Sequence, residues 1–147
     1  EGRGTTLPFE LLGAPWLDAD RLAADLNALA LPGVRWRPAA FTPWYGRIHL
    51  GVPCFGVQPH PTDRATFRPV TAALHLIAAA RAQDPEAFYW REPWAPGSQR
   101  PIDLLSGTTR VREALDAGVP VAEIVAGWSD ELARFRAACQ PYLLYES

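Results

Sequence analysis

Along the first third of the chain the spacing of apolar positions changes from a helical to a strand period. Asp18 stands before Leu22, Leu26 and Leu29, four and three residues apart, which predicts a helix capped by Asp18. The string LPGV at 31–34 ends that helix and turns the chain. From Val34 to Phe41 the period drops to two. Val34 and Trp36 alternate with Arg35 and Arg37, which predicts a strand with one wet face. Pro38 puts that strand at a sheet edge or near its end. CFGVQPH at 54–60 is a second, shorter strand candidate inside a Pro- and Gly-rich stretch, 42–62, that otherwise reads as a long ordered loop.

Helical spacing dominates the rest. Pro69 suits a first helical turn, and Val70, Leu74, Ile77 and Ala78 follow as an inward stripe. A Pro-rich, aromatic loop comes next, then PIDLLSGT, a short helix ended by Gly107. Thr108 or Thr109 caps a further helix through Ala117, with Gly118 just past its end. From Pro120, residues Val121, Ile124, Val125, Trp128, Leu132, Phe135 and Cys139 form one amphipathic stripe, predicting a long final helix that Pro141 stops. The first 15 residues read as an extended loop that packs Leu7, Phe9 and Leu11. The sum is α+β: a single compact domain of four or five helices with a small sheet of short strands and long ordered loops.

Composition narrows the functions. A chain of 147 residues with 48% hydrophobic residues is that of a folded domain, not a disordered segment. The net charge of −2 argues against a nucleic-acid partner, and no apolar run approaches the roughly 20 residues of a membrane span. All 14 basic residues are Arg, so this chain brings no Lys to Schiff-base or P-loop chemistry. Cys54 and Cys139 make neither a zinc pattern nor a redox pair; they read as buried free thiols, with a pairing left open. No Met occurs, and the chain opens on EGRGTT, a string suited to the middle of a protein, so a fragment is expected.

Several clusters carry candidate chemistry. In EGRGTT, glycines on both sides of Arg3 let backbone approach a ligand closely; Arg3 can grip a carboxylate or phosphate, and Glu1 is a candidate acid or base. The alternative is a plain entry loop. HPTDR at 60–64 gathers His60, Asp63 and Arg64 just past the second strand candidate. Asp63 or Thr62 also reads as a helix cap, and His60 as a structural histidine. Trp44, Tyr45, Tyr89, Trp90 and Trp94 lie in loops, where amphipathic rings suit sugar faces and protein interfaces alike. Asp103 sits in the first turn of its short helix, where the helix dipole alone explains a negative charge. No metal-ligand set and no Ser-His-Asp arrangement stands out, and no cofactor is expected.

Taken together, EGRGTTLPFELLGAPWLDADRLAADLN, LPGVRWRPAAFTP, CFGVQPHPTDRATFRPVTAALHLI, PIDLLSGTTRVREALDAG and PYLLY resemble the C-terminal domain of the NamZ/YbbC-type exo-β-N-acetylmuramidases. The resemblance spans nearly the whole chain, in order. The family pattern near 54–63 reads Cys-x-Gly-Val-x-x-His-Val-Thr-Asp, matched by Cys54, Gly56, Val57, His60, Thr62 and Asp63. Pro61 replaces Val, and Trp44, Gly46 and Arg47 depart from the family's Thr, Ser and Lys. The resemblance implies a glycoside hydrolase that removes terminal N-acetylmuramic acid from peptidoglycan fragments. Residues 1–147 would be its C-terminal, substrate-cleft half, inactive alone, with 1–15 as the junction to an absent Rossmann-like N-terminal domain. It implies substrate contacts at Arg3, Thr5, Tyr45, His60, Asp63 and Asp103, with Glu1 a catalytic candidate, and a bacterial periplasmic or secreted setting. A non-catalytic glycan- or protein-binding module is the other class.

Overall fold

Helix α1 (Ala19–Ala28) begins where Asp18, in extended backbone, accepts a hydrogen bond from the Arg21 N–H at 3.0 Å. The computed structural model describes residues 1–145. Leu22, Ala23 and Leu26 form the buried face of α1, but Leu29 is 47% exposed. The helix has ended by then, and Ala30 turns to a φ of 49°, so the stripe loses its period.

Three strands form one antiparallel sheet in the order β1–β3–β2: β1 is Leu12–Ala14, β2 is Val34–Phe41 and β3 is Cys54–Pro61. Pro38 therefore lies on an edge strand. The β2–β3 ladder runs from Val34 opposite Pro61 to Phe41 opposite Cys54. β1 pairs only with Phe55–Val57. Trp36 stands opposite Pro59 but turns its own backbone away from β3. Its N–H donates to Asn27 Oδ1 at 3.0 Å, and its C=O accepts from Asn27 Nδ2 at 2.8 Å. Pro38, Pro59 and Pro61 share that parity in the ladder, so their missing N–H groups cost the β2–β3 pairing no bond.

β1 approaches β3 through two facing glycines. A Cβ on Gly56 would lie 2.0 Å from the Leu12 carbonyl oxygen, and one on Gly13 2.4 Å from that of Phe55. Only residues without a side chain allow this crossing.

α2 (Pro69–Gln83) packs with α1 on one side of the sheet, and the core there holds Leu22, Leu26, Val34, Trp36, Val57 and Leu76. Gln83 ties the end of α2 to the start of α1: its Oε1 accepts from the Asp18 N–H at 2.9 Å. α2 buries Ala72, Leu74 and Leu76, while Val70 is 60% exposed and Ile77 and Ala78 are half-buried. Apolar residues surround most of this helix, so period alone selects the wrong face.

The chain divides into two compact units, Glu1–Tyr89 and Trp90 onward. The second holds α3 (Pro101–Ser106), α4 (Arg110–Asp116), α5 (Val121–Ala126), α6 (Ser129–Cys139) and a 3-10 turn, Gln140–Tyr142. Gly107 and Gly118 stop α3 and α4 at φ of 70° and 73°. The single final helix expected from residue 120 is interrupted between α5 and α6 at Gly127 and Trp128, where glycine weakens helix continuation. Val121 and Ile124 are buried, Trp128 is half-buried, and α6 contains no buried residue. Both cysteines are free thiols; Cys54 is buried, and Cys139 is only half-buried.

Candidate functional site

Strand register decides what shares a face. In the β2–β3 ladder Arg35 stands opposite His60, and Arg37 opposite Gln58. Directly opposed residues project on the same side. Val34, Trp36 and Val57 belong to the helix-facing core, so Arg35, Arg37, Gln58 and His60 occupy the other face. Gln58 is only 6% exposed, and both ends of its amide are held. Arg37 Nη2 donates to its Oε1 at 2.5 Å, and its Nε2 donates to Glu10 Oε2 at 3.3 Å. Arg35, Arg37 and His60 are exposed.

The N-terminal loop is folded on itself. The Phe9 N–H donates to the Glu1 carbonyl at 2.8 Å, and the Thr5 hydroxyl donates to the Gly2 carbonyl at 2.6 Å while accepting from the Leu7 N–H at 3.2 Å. Thr5 thus serves the turn. Arg3 Nε pairs with Glu1 Oε1 at 2.8 Å, and its guanidinium lies 5.5 Å from the Phe9 ring centre. The ion pair is about half exposed and weak on its own, on the order of 0–1 kcal/mol.

This loop meets the β2–β3 connection. The Trp44 N–H donates to the Arg3 carbonyl at 3.1 Å. Gly4, at φ 77°, comes so close that a Cβ would lie 2.7 Å from the Trp44 carbonyl carbon and the Tyr45 nitrogen. Arg3 and Tyr45 are therefore brought together, beside exposed rings: Phe9 at 66%, Trp44 and Tyr45 at 69% each. His60 has a different neighbour, Arg35.

The two aspartates have structural partners. Asp63 Oδ1 accepts from the Ala65 N–H at 2.9 Å and Oδ2 from the Thr66 hydroxyl at 2.9 Å. The Thr66 hydroxyl first, and then the Ala65 N–H, hold its carboxyl below the usual carboxylate range. The same turn brings Gly33, whose carbonyl accepts from the Thr62 and Asp63 N–H groups. Asp103, in the second unit, is 4% exposed and bound through both oxygens by Arg112, with contacts of 2.9 Å from Nε and 3.1 Å from Nη2. That hydrogen bond raises the Arg112 pKa further.

Sequence reasoning did not select Arg35, Arg37, Gln58 or Glu10. The alternation of β2 already put both arginines on its wet face, but joining them to His60 needs the register of β3. Among the described residues, no group of three or more His, Cys, Asp or Glu could hold a metal ion, and no helix is long and apolar enough to cross a membrane.

Comparison with known proteins gives the family. The model of the C-terminal domain of the exo-β-N-acetylmuramidase NamZ matches residues 1–145. The chain belongs to that family. A NamZ relative, the peptidoglycan β-N-acetylmuramidase of Bacillus subtilis strain 168, is 39% identical over 145 residues, which are 99% of this chain and 33% of the relative. The crystal structure of a DUF1343-family protein from Bacteroides fragilis NCTC 9343 superposes with a TM-score of 0.82 at 28% identity, over 99% of this chain and 37% of that one. The NamZ C-terminal fold thus extends through the whole described chain, which spans about a third of the length of the curated relative it matches.

Proposed function

We propose that this chain is the substrate-contacting part of an exo-acting β-N-acetylmuramidase that removes terminal N-acetylmuramic acid from peptidoglycan fragments. The observation that carries the reading is the NamZ C-terminal match over residues 1–145. Glycoside hydrolysis generally needs two carboxyl groups flanking the bond. Asp63 and Asp103 are engaged in a turn and in a buried ion pair, and Glu1 is engaged by Arg3. The reading therefore assigns the acid and base to other parts of a longer protein. It keeps for this chain the contacts that hold the sugar: the Arg3 loop, the rings of Trp44 and Tyr45, and the polar sheet face with His60.

The test uses a chromogenic β-N-acetylmuraminide with two proteins, the 147-residue chain and the longer polypeptide that carries it. Turnover by the longer protein alone is expected. Comparable turnover by the 147-residue chain removes the divided site, and no turnover by the longer protein removes the muramidase reading.

A further inference from the structure

The face of β2 and β3 that points away from the helices carries two arginines and a histidine whose charged groups are not engaged by an acid among the described residues. Arg35 and Arg37 lie two residues apart on one strand, about 6.6–6.8 Å along it. His60 stands directly opposite Arg35. Two guanidinium charges this close on one strand face repel each other. Yet among the described residues neither arginine is paired with a carboxylate. Glu10, an acid that reaches this face, spends Oε2 on the Gln58 amide. Gln58 in turn takes one N–H of Arg37 Nη2 and leaves the second, with those of Nε and Nη1, so one edge of the guanidinium keeps two parallel N–H groups to bind something else. A nearly buried amide held at both ends is a rigid support, so the Arg37 fork is positioned before any ligand arrives.

We propose that Arg37, with Arg35 and His60, forms a carboxylate-binding site on this sheet face, Gln58 and Glu10 acting as its positioning residues. A planar carboxylate matches the two-pronged donor geometry of a guanidinium. Arg35 can close on the second oxygen, and a bound anion offsets the repulsion between the Arg35 and Arg37 guanidinium groups. Resting on the muramidase reading, the ligand is the acid group of the saccharide, which in muramic acid is the lactyl carboxylate. Arg3 differs: its guanidinium is already occupied by Glu1 and Phe9.

The experiment follows the Arg37 Nε–H and Gln58 side-chain NH2 signals of the ¹⁵N-labelled chain by NMR. D-lactate, N-acetylmuramic acid, N-acetylglucosamine and inorganic phosphate are titrated separately. D-lactate and N-acetylmuramic acid should shift both signals and N-acetylglucosamine should not. Arg37→Ala should weaken binding of both acids at least tenfold, and Arg37→Lys, which keeps the charge but loses the fork, should recover only part. Thermal melting of each variant separates lost binding from lost folding. Shifts from D-lactate without N-acetylmuramic acid keep the site and remove the muramidase assignment. The carboxylate site is overturned if D-lactate leaves both signals in place, if phosphate binds as well as D-lactate, or if folded Arg35→Ala/Arg37→Ala binds like the parent.

Discussion

Two charged clusters of this molecule carry the same kinds of side chain and differ in completeness. In the second unit Asp103 and Arg112 face each other with both carboxylate oxygens filled, the aspartate 4% exposed, and Glu113 and Asp116 adding acid around the guanidinium. On the sheet face of the first unit Arg35, Arg37 and His60 are exposed, and Glu10 meets Gln58 rather than either arginine. In the first cluster acids surround the cation, and the pair serves stability. The second is left with donors to offer, and a ligand can complete it. Charge density alone does not distinguish the two; the accounting of partners does.

The difference is open to attack from both sides. Asp103→Ala should have the largest effect, because it removes the two-pronged partner of a largely enclosed Arg112 and leaves only the 3.8 Å contacts with Glu113 and Asp116. A fall in Tm of roughly 10 °C is expected in a thermal melt, with N-acetylmuramic acid binding unchanged for the folded fraction. A melt like that of the parent would mean that the pair is not structural. Gly4→Ala forces a side chain into positive φ against Trp44 and should cost about 1–3 kcal/mol by chemical denaturation. Faster hydrogen exchange should be confined to the N-terminal loop and residues 44–45. Arg37→Ala should reverse the pattern of Asp103→Ala. It should lower Tm by only roughly 2–4 °C, the cost of leaving the Gln58 amide oxygen without its partner, while lowering kcat/KM for the chromogenic muraminide in the longer protein at least tenfold, about 1.4 kcal/mol. If its Tm falls as far as that of Asp103→Ala, the contrast fails.

The smallest effect concerns His75, half-buried in a groove of about 260 Å³ between α1 and α2 that Arg21 and Asp25 also line. Burial holds its pKa below the usual histidine value. The folded state then binds a proton less readily than the unfolded chain. Its contribution is present above the ordinary histidine pKa and is lost as pH falls through the lowered folded value. His75→Gln should flatten that part of the stability–pH curve, and an unchanged slope below neutrality would exclude His75 as its source.

Much of the fold was legible because local chemistry and tertiary packing agree. The Asp18 cap, the 34–41 alternation and the stops at Gly107 and Gly118 all appear where the residues place them. Failures came where pattern has no unique reading. In α2 apolar residues surround the helix, so Val70 is as good a core candidate as Ala72 until the sheet is in place. Beyond residue 120 the stripe is continuous, yet Gly127 interrupts the helix and α6 buries nothing. The candidate site divides in the same way. Arg3 and Tyr45 were nameable because they lie in irregular, chemistry-bearing loops. The Arg35–His60 and Arg37–Gln58 pairs depend on strand register, and the Asp103–Arg112 pair on how α3 turns into α4; neither is local in sequence.

The Asn27 side chain, bonded both ways to the Trp36 backbone, has a consequence for how copies of this chain meet. A strand at the margin of a sheet offers a template on which another chain can add, the first step toward fibrils or exchanged strands. On the outer margin of β2 Asn27 already takes the donor and acceptor of Trp36, and Pro38 has no donor to give. Across the sheet, where β1 stops short, Pro59 and Pro61 remove the donors from the uncovered length of β3. Asn27→Ala would reopen one rung of that template. The variant is expected to precipitate sooner than the parent on heating at equal concentration, because an amide side chain that mimics a neighbouring strand also keeps a real one away.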